Sequence, residues 1–264
     1  WNIGSLEFRI GKSTNYSIED KVLQNVHILS TALNCKWKEK AFFEKQLSNP
    51  TVLEKLGLTG LSLLVAENGH FDIEFHSRKK AIHIEEIRIE EDAGRLTHSE
   101  GKTRMDYTNA GMPSIRIRTS HNLELGEEAL LFLEGIKRLL QYLQLTENIS
   151  LDTAIRCNAY VALSKYPDLP NYYVKLRNLN SFNFVRKAIN SELSRQEDIL
   201  VSGGKVISES RLWNERQNIT EPYKSRQETT LRQFEPLLFQ NEKIYLKSNI
   251  SFENLSKNEL PEAR

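Results

Sequence analysis

The chain has 264 residues, 39% of them hydrophobic and 27% charged, with a formal net charge of +1 at pH 7. That length supports one large core, the balance is that of a folded protein, and the charge excludes the basic excess of a nucleic-acid coat. No apolar run reaches bilayer length, and the opening Trp1-Asn2-Ile3-Gly4 lacks the charged-then-apolar pattern of a secretory signal. Cys35 and Cys157 lie far apart with no CxxC or Cys/His spacing around them, so a zinc knuckle is not expected. The natural compartment is a reducing one, cytoplasm or mitochondrial matrix.

Leu6 to Ile10 alternates apolar and charged residues, the period of a half-buried strand that puts Glu7 and Arg9 together. Ile18, Val22, Val26, Leu29 and Leu33 then recur at helical spacing behind a capping box formed by Ser17 and Asp20. Lys36 to Lys55 reads as charged, helical and irregular by turns, broken at Asn49-Pro50. Leu61 to Ala66 and Phe71 to Phe75 read as two strands joined by the turn signal Asn68-Gly69. In the next strand, Ala81 to Glu91, Ile82 and Ile84 share one parity and Ile87 and Ile89 the other, which predicts a bulge at Glu85-Glu86.

Ser114 to Arg118 alternates again, and Glu127 to Leu145 is an amphipathic helix with Leu133, Ile136 and Leu140 inward. Ile155 to Leu163 and Tyr172 to Leu179 are strands, and Ser181 to Ser202 is a helix closed by Gly203-Gly204. Lys205 to Trp213 returns as strand, and the chain is polar and weakly patterned beyond it. Strands outnumber helices without alternating strictly with them, so the expected fold is α+β, with a mainly antiparallel sheet and packed helices. Residues 1–213 are expected to form one domain, with 214–264 as a polar C-terminal segment.

The densest acidic group is Glu85, Glu86, Glu90, Glu91 and Asp92, followed by Ala93-Gly94-Arg95. Alternation puts Glu86, Arg88 and Glu90 on one face and Glu91 on the other. Carboxylates gathered beside a glycine turn can bind magnesium, which bridges phosphate oxygens. Composition alone favours the plainer reading, a charge-balanced strand. Val201-Ser202-Gly203-Gly204-Lys205 lacks Walker spacing and reads as a helix terminator. His83 reads as structural, Tyr172, Tyr173 and Trp213 as core or edge aromatics.

Ile89-Glu90-Glu91-Asp92-Ala93-Gly94-Arg95 resembles the EEDAGK motif of the B-type subunits of glutamyl/aspartyl-tRNA amidotransferases. Asn109-Ala110-Gly111-Met112-Pro113 is similar to that family's N-x-G-x-P, and Ala154 to Ala159 to its SLRCDAN. Arg177 to Phe182 looks like KNLNSF, and Glu209 to Trp213 like ETRLW. The five occur in the family's order from about Ile84 to Trp213, the span of its catalytic cradle domain; the family's helical tail and terminal tRNA-contacting domain have no counterpart in these residues.

The resemblance implies ATP and Mg2+ as cofactors, and phosphorylation of the side-chain carboxylate of Glu-tRNA(Gln) or Asp-tRNA(Asn). An amidase A-type subunit and a C-type subunit are the implied partners, with neither membrane nor DNA. By motif position it implies Glu90 and Glu91 as catalytic residues, Glu7 and Glu90 as metal ligands, and Arg156, Asn178 and Asn180 as cofactor contacts.

The sequence also departs from the pattern. Arg9 stands where the family has a ligand histidine, and Arg116 and Arg118 lie in a stretch where it has acids. A guanidinium cannot ligate a cation, but its planar fork can hold an oxyanion. The simpler role for these arginines is pairing with Glu7, Glu86 and Glu90. A catalytically degenerate scaffold subunit and a stand-alone RNA-binding module are therefore the alternative functions.

Overall fold

The computed structural model describes residues 2–10, 20–39, 41, 43–45, 61–91, 95–99, 102–106, 112–145, 156–164 and 170–223. Its strands in chain order are β1 (Asn2–Ile10), β2 (Lys36–Trp37), β3 (Phe43–Lys45), β4 (Leu61–Phe75), β5 (Arg78–Glu91), β6 (Arg95–Ser99), β7 (Lys102–Asp106), β8 (Pro113–Thr119), β9 (Arg156–Leu163), β10 (Val174–Leu179), β11 (Glu209–Asn214) and β12 (Ile219–Pro222). The helices are α1 (Asp20–Ala32), α2 (Gly126–Tyr142) and α3 (Phe182–Val201). Ten strands form one sheet in the order β12-β11-β10-β9-β1-β8-β5-β4-β2, with β3 also on β4, while β6 and β7 pair separately. Every pairing is antiparallel except β10 with β11, which are bridged by α3. The α+β expectation holds.

The parity change in β5 is resolved as expected. The register against β8 shifts between Ile84 and Glu86, and Ile82, Ile84, Ile87 and Ile89 all become buried. The bulge is what lets one strand feed four isoleucines to one core.

Two expectations fail. Asn68-Gly69 is not a hairpin turn: β4 runs through it without a break, and the chain reverses at His76-Ser77, both with positive φ. Asn68 does take the left-handed conformation, φ 56°, but inside the ladder. Gly69 lets β4 pass close to the end of α1. A Cβ there would lie 2.2 Å from Cys35 Sγ and 2.6 Å from the Leu33 carbonyl, and His70 N–H donates to that same carbonyl. The stretch after α1 is also not helical where described, because Lys36–Trp37 and Phe43–Lys45 add to β4 as short strands. Their few alternating apolar residues find an open strand edge, and that pairing overrides helix propensity.

Val201 ends α3 as expected, with Gly203 at φ 81°, and Ser181 Oγ caps its start by accepting from Phe184 N–H. Beyond Trp213 the sheet continues for one more strand, β12, paired with β11. The capping box at Ser17 and the turn at Asn109-Ala110-Gly111 lie outside the described residues.

The core lies between the sheet and α2 and α3. Leu6, Ala159 and Val161 face Ile189 and Leu193 of α3 across a small cleft. The two helices meet closely at Gly126. Its N–H donates to Asn190 Oδ1 at 2.9 Å, and a Cβ there would sit 2.3 Å from the Arg186 carbonyl oxygen. Backbone cannot yield as a side-chain tip can, so Gly126→Ala is expected to cost about 1–3 kcal/mol. A urea midpoint unchanged by Gly126→Ala would show that the helices do not meet there.

Candidate functional site

The candidate site lies on the face of the central strands that alternation turns away from Leu6, Ile87, Ile117 and Ala159. Register sets its order. Arg156 of β9 lies opposite Arg9 of β1, Arg9 opposite Arg116 of β8, and Arg116 opposite Arg88 of β5. Four arginines thus form one row across four adjacent strands. The next row is Asn158, Glu7, Arg118 and Glu86, and on the other side of the arginines lie Ser114, Glu90 and Ser62. The side chains of Glu7, Arg9 and Arg156 lie outside the described residues, so these three are placed by register only.

Arg116 is the centre of the described contacts. Its Nε lies 2.7 Å from Glu90 Oε1 and its Nη2 3.3 Å from Glu86 Oε1. The Nε contact is an ion pair without the alignment of a hydrogen bond. Arg88 Nε donates to the other Glu86 oxygen at 3.0 Å and its Nη1 to Ser62 Oγ at 3.3 Å. Ser62 Oγ in turn donates to Glu90 Oε1 at 3.5 Å. Arg116 and Glu90 are both buried, at 7% and 5% exposure. Arg118, at the rim, pairs with Glu85 at 3.1 Å. The pairing expected with Glu86 and Glu90 is therefore present for Arg116, whereas Arg118 pairs with Glu85 and not with an expected partner.

The other expected residues are less closely gathered. Glu91 lies opposite Pro113 and one step from Glu90, on the alternate face. Glu7 falls two rows from Glu90, roughly 13 Å along the strands. Asn178 and Asn180 sit where β10 turns into α3, four strand spacings from β5, or roughly 19 Å. There Asn178, with φ 64°, donates to the Trp213 carbonyl at 3.3 Å, and Asn180 donates to Asn178 Oδ1 at 3.2 Å. Asparagine tolerates this left-handed φ, so the Arg177 to Phe182 motif builds a strand-to-helix joint.

Whether a magnesium ion fits depends on the acids that remain. Among the described residues no three His, Cys, Asp or Glu side chains converge. Glu90 already faces a guanidinium at 2.7 Å, in a place where a hard cation would need its oxygens free. The described residues do not compose a magnesium site.

A second polar cluster was not foreseen. Glu192 of α3, fully buried, accepts from Arg195 Nε at 2.9 Å, Gln196 Nε2 at 2.7 Å and Thr220 Oγ1 at 2.8 Å. Arg211 donates to Thr220 Oγ1 and to Glu209 Oε1, and its Nε lies 3.5 Å from Glu192. Gln196 also ties to the backbone of Val161 and Leu163. This explains the Glu209 to Trp213 motif: its acid and arginine fasten α3 to the β11–β12 edge. The available signal was Glu192 and Gln196 one turn apart on the helical stripe that holds Val185 and Ile189.

Burial pushes the Cys35 thiol up to about 12, so it is no nucleophile at neutral pH.

Fold and site together define an α+β domain with helices packed on one side of the sheet and an ordered, charge-paired arginine–glutamate face on its central strands. The chain belongs to the GatB/GatE catalytic domain family, whose model matches residues 14–236. Its relatives include proteins named as the B-type component of aspartyl/glutamyl-tRNA(Asn/Gln) amidotransferase. The one from Carboxydothermus hydrogenoformans is 31% identical over 218 residues, covering 80% of this chain and 45% of the relative. That from Fusobacterium nucleatum is 31% identical over 254 residues, covering 94% of this chain and 51% of the relative. The Macrococcus caseolyticus protein is 35% identical over 152 residues, covering 57% and 32%. The chain thus spans about half the length of the curated relatives it matches.

Proposed function

We propose that this chain is the catalytic domain of a B-type subunit of a tRNA-dependent amidotransferase. It uses ATP to activate the side-chain carboxylate of glutamate or aspartate mischarged onto tRNA, before amidation to Gln-tRNA or Asn-tRNA. The family membership of residues 14–236 is the observation that carries this reading. The partners are an A-type amidase that releases ammonia and a C-type subunit. The bacterial relatives point to the cytoplasm; no helix among the described residues is long and apolar enough to cross a membrane.

Activating a carboxylate as an acyl phosphate builds negative charge on the transferring group and on the leaving phosphates, so the protein's task is positioning and charge stabilisation. The residues for it are on the central strands. Glu86 and Glu90 hold Arg116 from both sides, and Arg88 is held by Glu86 and Ser62, so these guanidinium groups are fixed before substrate arrives. A group already in place costs no reorganisation during reaction. Glu90 acts here by fixing Arg116, and Glu91 is kept as a second acid at the strand end. Arg156 is retained as a nucleotide contact, while Asn178 and Asn180 hold the joint between β10 and α3.

The test is glutamine- and ATP-dependent conversion of Glu-tRNA(Gln) to Gln-tRNA by the full protein with its A-type and C-type partners. Conversion is expected, with Glu90→Gln lowering its rate about 100-fold, the usual effect of losing one preorganised electrostatic group. No conversion by the intact complex would reject the reading and leave a scaffold subunit.

A further inference from the structure

Glu86 and Glu90 flank Arg88 on one face of β5, and Arg116 of β8 lies directly opposite Arg88. Long side chains reach their diagonal neighbours across a strand pair. Register alone therefore brings one guanidinium between two carboxylates, and the contacts follow: Arg116 Nε lies 2.7 Å from Glu90 Oε1 and Nη2 3.3 Å from Glu86 Oε1. Glu90 and Arg116 are buried, and the Glu86 side chain is 18% exposed. Two carboxylates gathered in a place with little water need a cation. Without Arg116 they would offer the donors of a hard divalent ion, which takes one or two carboxylates and keeps waters. Ser62 Oγ, 3.5 Å from Glu90 Oε1, would be a further oxygen.

We propose that Arg116 is the resident cation of this face: its guanidinium takes the place between Glu86 and Glu90 that a divalent ion would bridge, and it keeps the pair from binding one. An ion joining the two acids would lie in the space of the guanidinium that now joins them, and the two positive charges would repel. The guanidinium is tethered and always charged, so it neutralises the acids at any ion concentration. Arg88 does not stand in for it, because its Nε is held by Glu86 Oε2 and its Nη1 by Ser62. Glu90, implied as a metal ligand by its motif, is then an anchor for arginine. A divalent ion that a substrate carries in gains no ligand from these two acids. The inference rests on these ion pairs and not on the function proposed above.

The experiment is titration of the full protein with Mn2+, following the electron paramagnetic resonance of the free ion, with melting temperatures alongside. The parent is expected to show no Mn2+ binding that Glu90→Gln alters. Arg116→Met keeps the apolar stem and removes the charge. It is expected to gain one Mn2+ site, at least about 10-fold tighter than the parent offers at these acids, because a unit charge a few ångströms from the ion is gone. Mn2+ should then raise its melting temperature, as a ligand of the folded state does. Adding Glu90→Gln should remove the gained site, and Arg116→Lys, which keeps a positive charge there, should gain none. If Arg116→Met folds too poorly to titrate, Arg116→Gln, neutral and polar, takes its place. Mn2+ binding by the parent that Glu90→Gln abolishes overturns the proposal, and so does a folded neutral variant that gains no site. Parent binding that Glu90→Gln leaves unchanged lies at other residues and agrees with it.

Discussion

Glu192→Ala is expected to lower stability by about 3–5 kcal/mol, the cost of leaving a buried charge without its partner. Glu192 is fully buried and Arg211 nearly so, and the carboxylate answers Arg195, Gln196 and Thr220 while lying 3.5 Å from Arg211. Removing it strands the Arg211 guanidinium between Glu209 and Thr220 with one acid fewer. At about 2–4 °C per kcal/mol for a domain of this size, the melting temperature should fall by on the order of 10 °C. Glu192→Gln keeps one acceptor and should cost less, while Arg195→Ala, at the more exposed end, should cost least. A Glu192→Ala protein melting within about 2 °C of the parent, on the order of 1 kcal/mol, would mean that the cluster does not fasten the β11–β12 edge.

Arg116→Ala is expected to be about as costly. Glu90 and Glu86 would face each other across the vacated place, and Glu90, at 5% exposure, would be a buried carboxylate without its nearest cation. Breaking such a pair from one side costs about 3–5 kcal/mol. The sharper form is a double-mutant cycle. Arg116→Met preserves the apolar stem, and Glu90→Gln removes the charge it leaves behind. If the 2.7 Å contact is as described, the double variant should recover about 1–3 kcal/mol relative to the sum of the single changes. Additive urea midpoints would show that the two side chains do not interact.

Much of the fold was legible because the core alternates cleanly. The isoleucine parity of Ile82, Ile84, Ile87 and Ile89 announced a bulge, and the bulge is where the two parities meet. The glycine at Gly203 ended a helix as its chemistry requires. What failed did so for local reasons. Asn68-Gly69 has the residues of a tight turn, but its positive φ and missing Cβ are used inside β4, where the strand passes the Leu33 carbonyl. Lys36–Trp37 has no strand length of its own, and only an edge supplied by β4 makes it one.

The site was legible as types of residue more than as an arrangement. Alternation put Glu86, Arg88 and Glu90 together, and Arg116 does join Glu86 to Glu90. Spacing along one strand cannot give the register between strands, and register is what lines up Arg156, Arg9, Arg116 and Arg88. Nor could it show that Asn178 and Asn180, in a motif read as binding cofactor, make the joint between β10 and α3. The buried cluster around Glu192 was hidden for a different reason: a charge on an apolar helical stripe has meaning only once its partners on another element are known.

If the arginine–glutamate face serves phosphoryl transfer to a mischarged tRNA, nucleotide turnover must depend on that tRNA and on the face being intact. The most direct measurement is ADP formation by the full protein with its A-type and C-type partners, with and without Glu-tRNA(Gln), for the parent and for Glu90→Gln. Hydrolysis that depends on mischarged tRNA, and is lost in Glu90→Gln while the complex still assembles, is the predicted result. ADP formation absent from the intact parent complex, or unaffected by Glu90→Gln, would contradict it.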